Sequence, residues 1–257
     1  MGFDRVASPL RALLLSLVLS PLAHEVKAAE VQILAPPVVA NAGLSNIAAG
    51  FTRKTGIQVT VRSLELLKIP QSAVAEPTDI VFVTPALMSG LAKDNAIKPA
   101  KAVGRVNIGL AVPAGAVHPD ISTTAKLIAA LRSSRGVVYS NPDPARGSLG
   151  AIMIDRLLKR PDFAGIHGVV SAKGNGASGL MNGEGDSALQ FESEILPHKE
   201  IELVGALPQE LGAFVDISVA ALQKSSHPAE AQAFMDYVTA AQSAPLWAAG
   251  GLSTTGP

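Results

Sequence analysis

Short apolar runs alternate with amphipathic stretches along almost the whole chain, and this alternation is what most constrains the fold. The runs have the length of β-strands and lie at 31–34, 58–61, 79–83, 106–112, 137–140, 187–191, 201–205 and 214–222. Between the first two runs, apolar residues recur at helical spacing, at Leu44, Ile47, Ala48 and Phe51. Strands that alternate with helices form largely parallel sheets covered by helices on both faces. The sequence therefore predicts an α/β protein.

The first 29 residues have the order of a secretory signal peptide. Arg5 and Arg11 precede an apolar run at 12–19, and the small residues Ala28 and Ala29 follow it. The run is shorter than the roughly 20 apolar residues that a membrane-spanning helix needs. We therefore expect a cleaved leader over 1–29 and a mature protein that works in the periplasm. A permanent N-terminal anchor is the alternative.

Charge and cysteine content exclude several classes of function. Without residues 1–28 the chain carries 18 basic and 19 acidic residues, and a nearly neutral surface does not favour binding to nucleic acid or to anionic membranes. The chain has no cysteine, which excludes disulfides, thiolate metal sites and cysteine nucleophiles. The apolar core alone must therefore stabilise the fold.

Two strand-like segments, 105–112 and 214–222, are long for buried parallel strands. Segments of this length could carry the chain from one lobe to a second lobe and back. Lobe I would then comprise residues 30–104 and 216–257, and lobe II would comprise residues 105–215. A single sheet with two long strands is the alternative that the pattern leaves open.

Five segments, in order along the chain, carry a resemblance to a known family. They are LSNIAAGFTRKTGIQVTV (44–61), EPTDIVFVTPALMSGLAKDNAI (76–97), HPDISTTAKLIAAL (118–131), VVYSNPDPARGSLGAIMIDRLL (137–158) and SALQFESEIL (187–196). In this order they resemble the extracytoplasmic solute-binding proteins of ABC transporters, in the molybdate-binding-like branch.

The resemblance implies the type II periplasmic binding fold, with two lobes, each with a mixed and mostly parallel sheet, joined by two crossover strands. The lobes would close on a small anionic solute and deliver it to an ABC transporter permease in the membrane. We expect a monomer that needs no cofactor and no metal ion.

The segment SNPDPARGSLG (140–150) joins a strand-like run to a helix-like one. In open α/β sheets, ligands bind beyond the carboxyl ends of strands, and a helix N-terminus attracts anions. There Gly147 permits close approach of a ligand, Ser148 offers a hydroxyl, and Arg146 adds a fixed charge with a planar set of donors. We predict that these three residues contact the ligand. The alternative is that Ser148 only caps its helix and Arg146 points to solvent.

Other candidates follow the remaining strands. Arg62 and Ser63 end the second strand, at the edge that faces the cleft in this fold, although an arginine there could equally be a surface residue. Thr84 follows the third strand and could contact ligand or cap a helix. Asn175 and Gly176 begin another helix in lobe II, and their amides are candidates unless KGNGASG is a surface turn.

The stretch QFESEIL places a polar side chain and an acid close together. An acid in the site would repel an anion, so we expect Gln190 to lie near the ligand and Glu192 to turn away. Tyr139 is expected in the core, because aromatic side chains dominate core burial.

The first loop departs from the molybdate-binding pattern. Those proteins carry a serine directly after the first strand, whereas this chain has APPVV, with Pro37 and Val38 as its candidate contacts. A missing hydroxyl together with Arg62 favours a larger and partly apolar anion. A small organic carboxylate fits, since carboxylates pair well with arginine. A molybdate or tungstate oxyanion is the alternative.

Enzyme motifs are absent from the sequence. The segment GASGL at 176–180 is one residue out of phase with the G-x-S-x-G elbow, and no histidine belongs to an H-E-x-x-H pair. We therefore expect a binding protein. A ligand-loaded sensor and an exported two-lobed enzyme are the remaining alternatives, because fold does not fix function.

Overall fold

A computed structural model describes residues 1–2, 30–146 and 148–254. The predicted signal peptide, apart from its first two residues, lies outside the described residues, and so does Gly147. Within the described part, no helix has both the length and the apolar character needed to cross a membrane.

The described part of the chain contains ten strands, and all eight predicted strands are among them. They are β1 Glu30–Ala35, β2 Gln58–Ser63, β3 Ile80–Val83, β4 Lys101–Pro113, β5 Val137–Tyr139, β6 Gly168–Val170, β7 Ser187–Phe191, β8 Ile201–Ala206, β9 Phe214–Ala221 and β10 Leu252–Ser253. The sequence did not indicate β6 and β10, because two or three residues are too few to show a pattern.

Ten α-helical segments accompany these strands in the same part of the chain. They are α1 Pro37–Val39, α2 Ser45–Thr55, α3 Ile69–Ala75, α4 Pro85–Lys93, α5 Thr124–Ser133, α6 Leu149–Leu158, α7 Gly176–Met181, α8 Glu192–Ile195, α9 Pro228–Val238 and α10 Ala244–Ala249. Local chemistry sets several of their ends. The Thr123 hydroxyl caps α5, and Gly56, with φ of 78°, ends α2 in the left-handed region. The predicted α/β class is confirmed.

The strands follow the order β2-β1-β3-β9-β4-β7-β5-β6, and β8 and β10 also pair with β4. Strand β1 runs parallel to β2 and β3, and β5 runs parallel to β6 and β7. The pairs that involve β4 or β9 are antiparallel. Parallel strands therefore lie towards both ends of the sheet, and antiparallel pairing joins them in the middle.

Strand β4 changes its partners along its length. Residues 101–107 pair with β9, and residues 108–113 pair with β7 and β8. We call β1, β2, β3, β9, β10 and the start of β4 the first section, and β5 to β8 with the end of β4 the second section. Hydrogen bonding is continuous through β4, so two sections of one sheet meet there rather than two separate sheets. The lobe boundaries at 104/105 and 215/216 stay a prediction.

The chain returns to the first section between β8 and β9. The Leu207 N–H donates to the Ile108 carbonyl at 2.9 Å, and the Ile108 N–H donates to the Ala213 carbonyl at 2.8 Å. The named strand β9 then pairs only with β3 and β4 of the first section. The second predicted crossing therefore lies just before β9, whereas β4 itself spans both sections.

The core is continuous through both sections. Phe51 packs edge-on against Phe234, with ring centroids 5.2 Å apart, in the first section. Phe163 is fully buried in the second. The buried Trp247 donates its indole N–H to the Val238 carbonyl at 2.9 Å, so its polar group is paired.

Candidate functional site

A cavity of about 600 Å³ opens beyond the carboxyl ends of strands from both sections, and we call it the cleft. From the first section it is lined by Pro36, Pro37, Val38, Asn41, Glu65, Leu66, Lys68 and Val215. From the second it is lined by Ser140, Asn141, Arg146, Ser148, Leu149, Gly150, Gly174, Asn175, Ser178, Gln190, Phe191 and Glu194. The cavity is therefore lined from both sides of β4.

The loop after β1, which carries the candidates Pro37 and Val38, lines the cleft. Pro37 begins α1 directly after the extended Pro36, and the second helical residue is Val38. An N–H in the first turn of a helix has no intrahelical acceptor, so the Val38 N–H can serve a ligand. The Val38 carbonyl accepts a hydrogen bond from the buried Ser193 hydroxyl at 2.8 Å, which ties this loop to α8.

Ser140, directly after β5, is the centre of a buried polar network. Its hydroxyl oxygen accepts from the Gly176 N–H at 3.3 Å and from the Gln190 side-chain amide at 3.0 Å. The Gln190 amide oxygen accepts from the N–H of Phe191 at 3.0 Å. Both lone pairs of the Ser140 hydroxyl are therefore used, and its proton remains for a ligand in the cleft. The sequence predicted Gln190 but missed Ser140.

Arg146 lines the cleft at the end of a short turn, Pro144–Arg146. Its side chain is exposed, and it makes no hydrogen bond or ion pair with the other residues that the structure describes. Asn141 accepts from the Asp143 N–H and Asp143 from the Ala145 N–H, both at 2.9 Å, and these turns stiffen the loop. The neighbouring candidate Gly147 lies outside the described residues.

Ser148 and Asn175 both cap helices and line the cleft. The Ser148 hydroxyl oxygen accepts from the Ala151 N–H at 3.4 Å, and the Asn175 amide oxygen accepts from the Ser178 N–H at 2.9 Å. Ser148 therefore caps its helix and also lines the cleft, and its contact with a ligand stays a prediction.

Gly176 differs from its prediction, because it is not among the residues that line the cleft. Its N–H is already donated to Ser140, and a Cβ here would lie 2.9 Å from the Leu189 carbonyl. Glycine at this position permits close packing of α7 on β7 rather than contact with a ligand.

Three candidates from the first section lie away from the cleft. Arg62 is exposed on β2, an edge strand, and its guanidinium forms an ion pair with Glu76. Ser63 is exposed beside it, and Thr84 sits at the start of α4 without a side-chain capping bond. The segment after β2 does reach the cleft, but through Glu65 and Lys68, a few residues further along.

Two carboxyl groups line the cleft, and the sequence did not predict either. Burial raises the pKa of the Glu194 carboxyl to about 7, and the nearby Glu65 carboxylate adds to this, whereas a hydrogen bond from Asn175 opposes it. Burial also raises the pKa of Glu65, and Lys68 works in the opposite direction.

The other acid of α8, Glu192, faces a different pocket, where it accepts a hydrogen bond from the Asn107 amide at 3.3 Å. It turns away from the cleft, as expected. Successive helical residues are about 100° apart, so two residues that differ by two positions point to nearly opposite faces. The same geometry that turns Glu192 away brings Glu194 to the cleft.

The remaining sequence expectations concern the core and metal ions. Tyr139 is buried, and its hydroxyl donates to Asp155 at 3.2 Å, so it belongs to the core rather than to the cleft. Among the described residues, no group of three or more His, Cys, Asp or Glu side chains is arranged to hold a metal ion.

The cleft combines cationic, hydrogen-bonding and apolar groups. Arg146 and Lys68 supply positive charge, and Ser140, Asn141 and Asn175 supply polar groups. Leu66, Leu149 and Phe191 supply apolar surface. This composition suits a small anion with an apolar part, and a carboxyl group with a pKa near 7 can exchange protons with whatever binds.

Comparison with known proteins relates most of the chain to a family of solute-binding proteins. The family described as bacterial extracellular solute-binding protein matches residues 32–253. A curated protein of Pseudomonas sp, aconitate isomerase, is 26% identical over 214 residues, which cover 78% of this chain and 79% of that protein.

Solved structures of similar fold come from several bacteria. A substrate-binding domain assigned to a molybdenum ABC transporter of Clostridium difficile has a TM-score of 0.71 and 13% identity, covering 89% of this chain and 100% of that chain. The sulfate-binding protein SubI of Mycobacterium tuberculosis has a TM-score of 0.67 and 17% identity, covering 89% of this chain and 88% of that chain. The periplasmic molybdate-binding protein of Azotobacter vinelandii has a TM-score of 0.65 and 15% identity, covering 86% of this chain and 98% of that chain. At these identities the similarity establishes the shared fold.

Proposed function

Because the chain belongs to the family of bacterial extracellular solute-binding proteins, we propose that it captures a small organic carboxylate in the cleft and delivers it to an ABC permease. The observation that carries this proposal is Arg146, whose side chain lines a cleft formed by both sections and makes no hydrogen bond or ion pair with the other residues that the structure describes. An unpaired arginine beside a helix N-terminus opposes the helix dipole and favours an anionic partner.

The anion is proposed to be a carboxylate on grounds of size and surface. A cavity of about 600 Å³ has room for more than a single tetrahedral ion, and its apolar residues match a carbon skeleton. A guanidinium holds a carboxylate with two parallel hydrogen bonds. The relative named aconitate isomerase supports the same class, because aconitate is a tricarboxylate.

An oxyanion such as molybdate, tungstate or sulfate is the second candidate. The names of the similar structures favour it over the carboxylate, since they refer to molybdenum, molybdate, tungstate and sulfate. The Ser140 hydroxyl is a donor that suits such an ion. Two acidic side chains in the cleft repel any dianion, a dicarboxylate as well as an oxyanion, so they do not separate the two candidates.

An exported enzyme is the third candidate, and Glu194 is the observation that favours it. A partly buried carboxyl group with a pKa of about 7 is suited to general acid–base catalysis near neutral pH. The name of the curated relative indicates an isomerase. In this case the cleft would hold the carboxylate groups of the substrate while Glu194 moved a proton.

The cellular setting of the proposed function follows from the leader and the family. A cleaved signal peptide would place the mature protein in the periplasm, where it would act as a monomer beside its permease. A sensor that docks on a membrane receptor would use the same cleft, so the partner does not alter the ligand proposed here.

A thermal-shift panel tests the ligand class directly. The mature protein would be heated with citrate, trans-aconitate, succinate, molybdate, tungstate and sulfate in turn. We expect a carboxylate to give the largest shift, since a ligand at a hundredfold excess over its Kd stabilises the native state by about 2.7 kcal/mol. A larger shift with molybdate, tungstate or sulfate would favour the second candidate instead. Chromatography after incubation with trans-aconitate tests the third, because only an isomerase would produce the cis isomer.

A further inference from the structure

We propose that the cleft takes up one proton when it captures its anion, and that Glu194, paired with Glu65, is the group that holds this proton. The inference rests on the proposed function, since it concerns the same cleft and a carboxylate ligand. In this proposal, Glu194 makes the affinity for the ligand depend on pH.

The two acids lie on opposite sides of the same cavity. Glu65 approaches the cleft from the segment after β2, and Glu194 approaches it from α8, so they line one cavity from opposite sections. Their carboxylates are close enough to repel each other. Two carboxylates that line one partly buried cavity do not both ionise easily, and Glu194 is the one whose pKa this repulsion helps to raise.

The charges in the cleft show why a ligand would add to this repulsion. Two cations, Lys68 and Arg146, line it together with the two acids. When Glu194 is ionised, above about pH 7, these charges balance, and a ligand with two or three carboxylates then adds negative charge that the site does not compensate. If Glu194 gains a proton, it changes from a repelling acceptor into a hydrogen-bond donor towards the ligand.

Within the described part of the chain, the elements packed against α8 offer Glu194 no further counter-charge. Strand β7 and helix α1 have no charged residues. The charged side chains of β4 and β8 are engaged elsewhere, as Lys101 pairs with Asp236, Arg105 with Asp216 and Glu202 with His118. On α8 itself, Glu192 faces the other pocket and interacts with Asn107. Near Glu194 only Asn175 favours the ionised form.

The direction of the pH effect follows from these contacts. Burial, with the repulsion from Glu65, raises the pKa of Glu194 to about 7 in the empty cleft. A bound anion raises this pKa again, so above pH 7 binding must bring a proton with it. Affinity is then greatest below about pH 7 and weakens as the pH rises, by at most about tenfold per pH unit for one proton.

The experiment is calorimetric titration of the mature protein with citrate at pH 7.5 and 8.5, where citrate has lost almost all its carboxyl protons. Each titration is run in Tris and in HEPES, because their different ionisation enthalpies reveal the number of protons taken up. We expect uptake that approaches one proton per citrate and a Kd roughly five- to tenfold weaker at pH 8.5 than at pH 7.5.

Two variants assign the proton. Glu194→Gln keeps a hydrogen-bond donor but cannot titrate, so its citrate affinity should be equal at both pH values, with no proton uptake. Glu192→Gln is the matched control on the other face of α8 and should behave like the wild type.

The possible failures are distinguishable. If citrate binds the wild type equally at both pH values, with the same heat in both buffers, the proposed proton uptake is wrong. The proposed function then stays in place. Undiminished uptake in Glu194→Gln shows that another group holds the proton. No binding of citrate at either pH contradicts the proposed carboxylate ligand itself.

Discussion

At the scale of single residues, Asp79 is the polar group that most clearly serves the fold. Its side chain is only 5% exposed. It accepts hydrogen bonds from the Gln32 N–H at 2.8 Å and from the Ser225 hydroxyl at 2.6 Å, which ties β3 to β1 and to the segment before α9. His227 lies 3.5 Å from the same carboxylate. Burial acts to raise the pKa of Asp79, but these contacts outweigh it and lower the pKa overall.

Replacing Asp79 with asparagine should therefore destabilise the protein at neutral pH, by about 1 to 3 kcal/mol. Because the folded pKa is lowered, the carboxylate stabilises the native state above its unfolded pKa, and this contribution is lost as the pH falls through the folded pKa. Urea unfolding of wild type and Asp79→Asn at pH 7 and near pH 3 measures the difference. The difference in the free energy of unfolding between wild type and Asp79→Asn should shrink in acid. The exposed control Asp94→Asn should match the wild type at both pH values. A difference that stays constant with pH would contradict the assignment.

The residues of the cleft show what sequence can and cannot reveal at this scale. Arg146, Ser148 and Asn175 were predictable because polar residues at helix starts after strands mark ligand sites in α/β proteins. Glu65 and Glu194 were not, since an acid argues against an anion site unless its pKa is raised, and that depends on burial in the folded chain.

Arg62 is the opposite case, a residue that the sequence placed in the cleft and the structure places outside it. Its position after a strand favoured a role in the cleft, but its partner Glu76 lies 14 residues along the chain, and the pairing depends on how α3 packs. Such a contact cannot be read from local pattern.

At the scale of elements, apolar runs predicted the strands well because buried strands need continuous apolar sequence. Strand β4 is longer than its predicted 105–112, since Lys101 to Gly104 are held by pairing with β9 rather than by an apolar pattern.

The contact between α10 and the turn before α2 was not predictable, because it joins distant segments. A Cβ on Gly250 would lie 2.2 Å from the Ala42 carbonyl oxygen.

Gly250→Ala should consequently destabilise the protein, by about 1 to 3 kcal/mol, because the backbone of that turn must move to make room. The backbone at Gly250 has φ of −95°, so conformational strain is not the cause. Gly90→Ala is the matched control, as Gly90 lies within α4 with open space around its Cβ position, and it should be neutral or slightly stabilising. Denaturant melts of both variants would measure this. Equal stability of the two would argue against the close contact.

At the scale of the whole molecule, the order of elements was predictable, but the way in which β4 divides its partners was not. Pairing of β4 with β9 and with β7 depends on contacts between residues about 80 to 115 positions apart, which no local pattern encodes. The result matters for function, because the cleft takes its residues from both sides of β4. We propose that the predicted lobes move about β4 and the return segment at 207–213 when a ligand binds.

The central claim is that an anion is held between the two sections with Arg146 as its fixed charge. Titration of wild type, Arg146→Ala and Arg62→Ala with citrate at pH 7.5 tests this most directly. Arg146→Ala should leave the free energy of unfolding within about 0.5 kcal/mol. It should weaken citrate binding by about 2 to 4 kcal/mol, as when one partner of a charge pair buried on binding is lost. Arg146→Lys should recover part of that affinity, because it restores the charge without the planar donors.

Arg62→Ala is the matched control, since Arg62 pairs with Glu76 on the edge strand and does not line the cleft. It should bind citrate like the wild type. Unchanged citrate affinity in Arg146→Ala, or a loss of affinity confined to Arg62→Ala, would contradict the account.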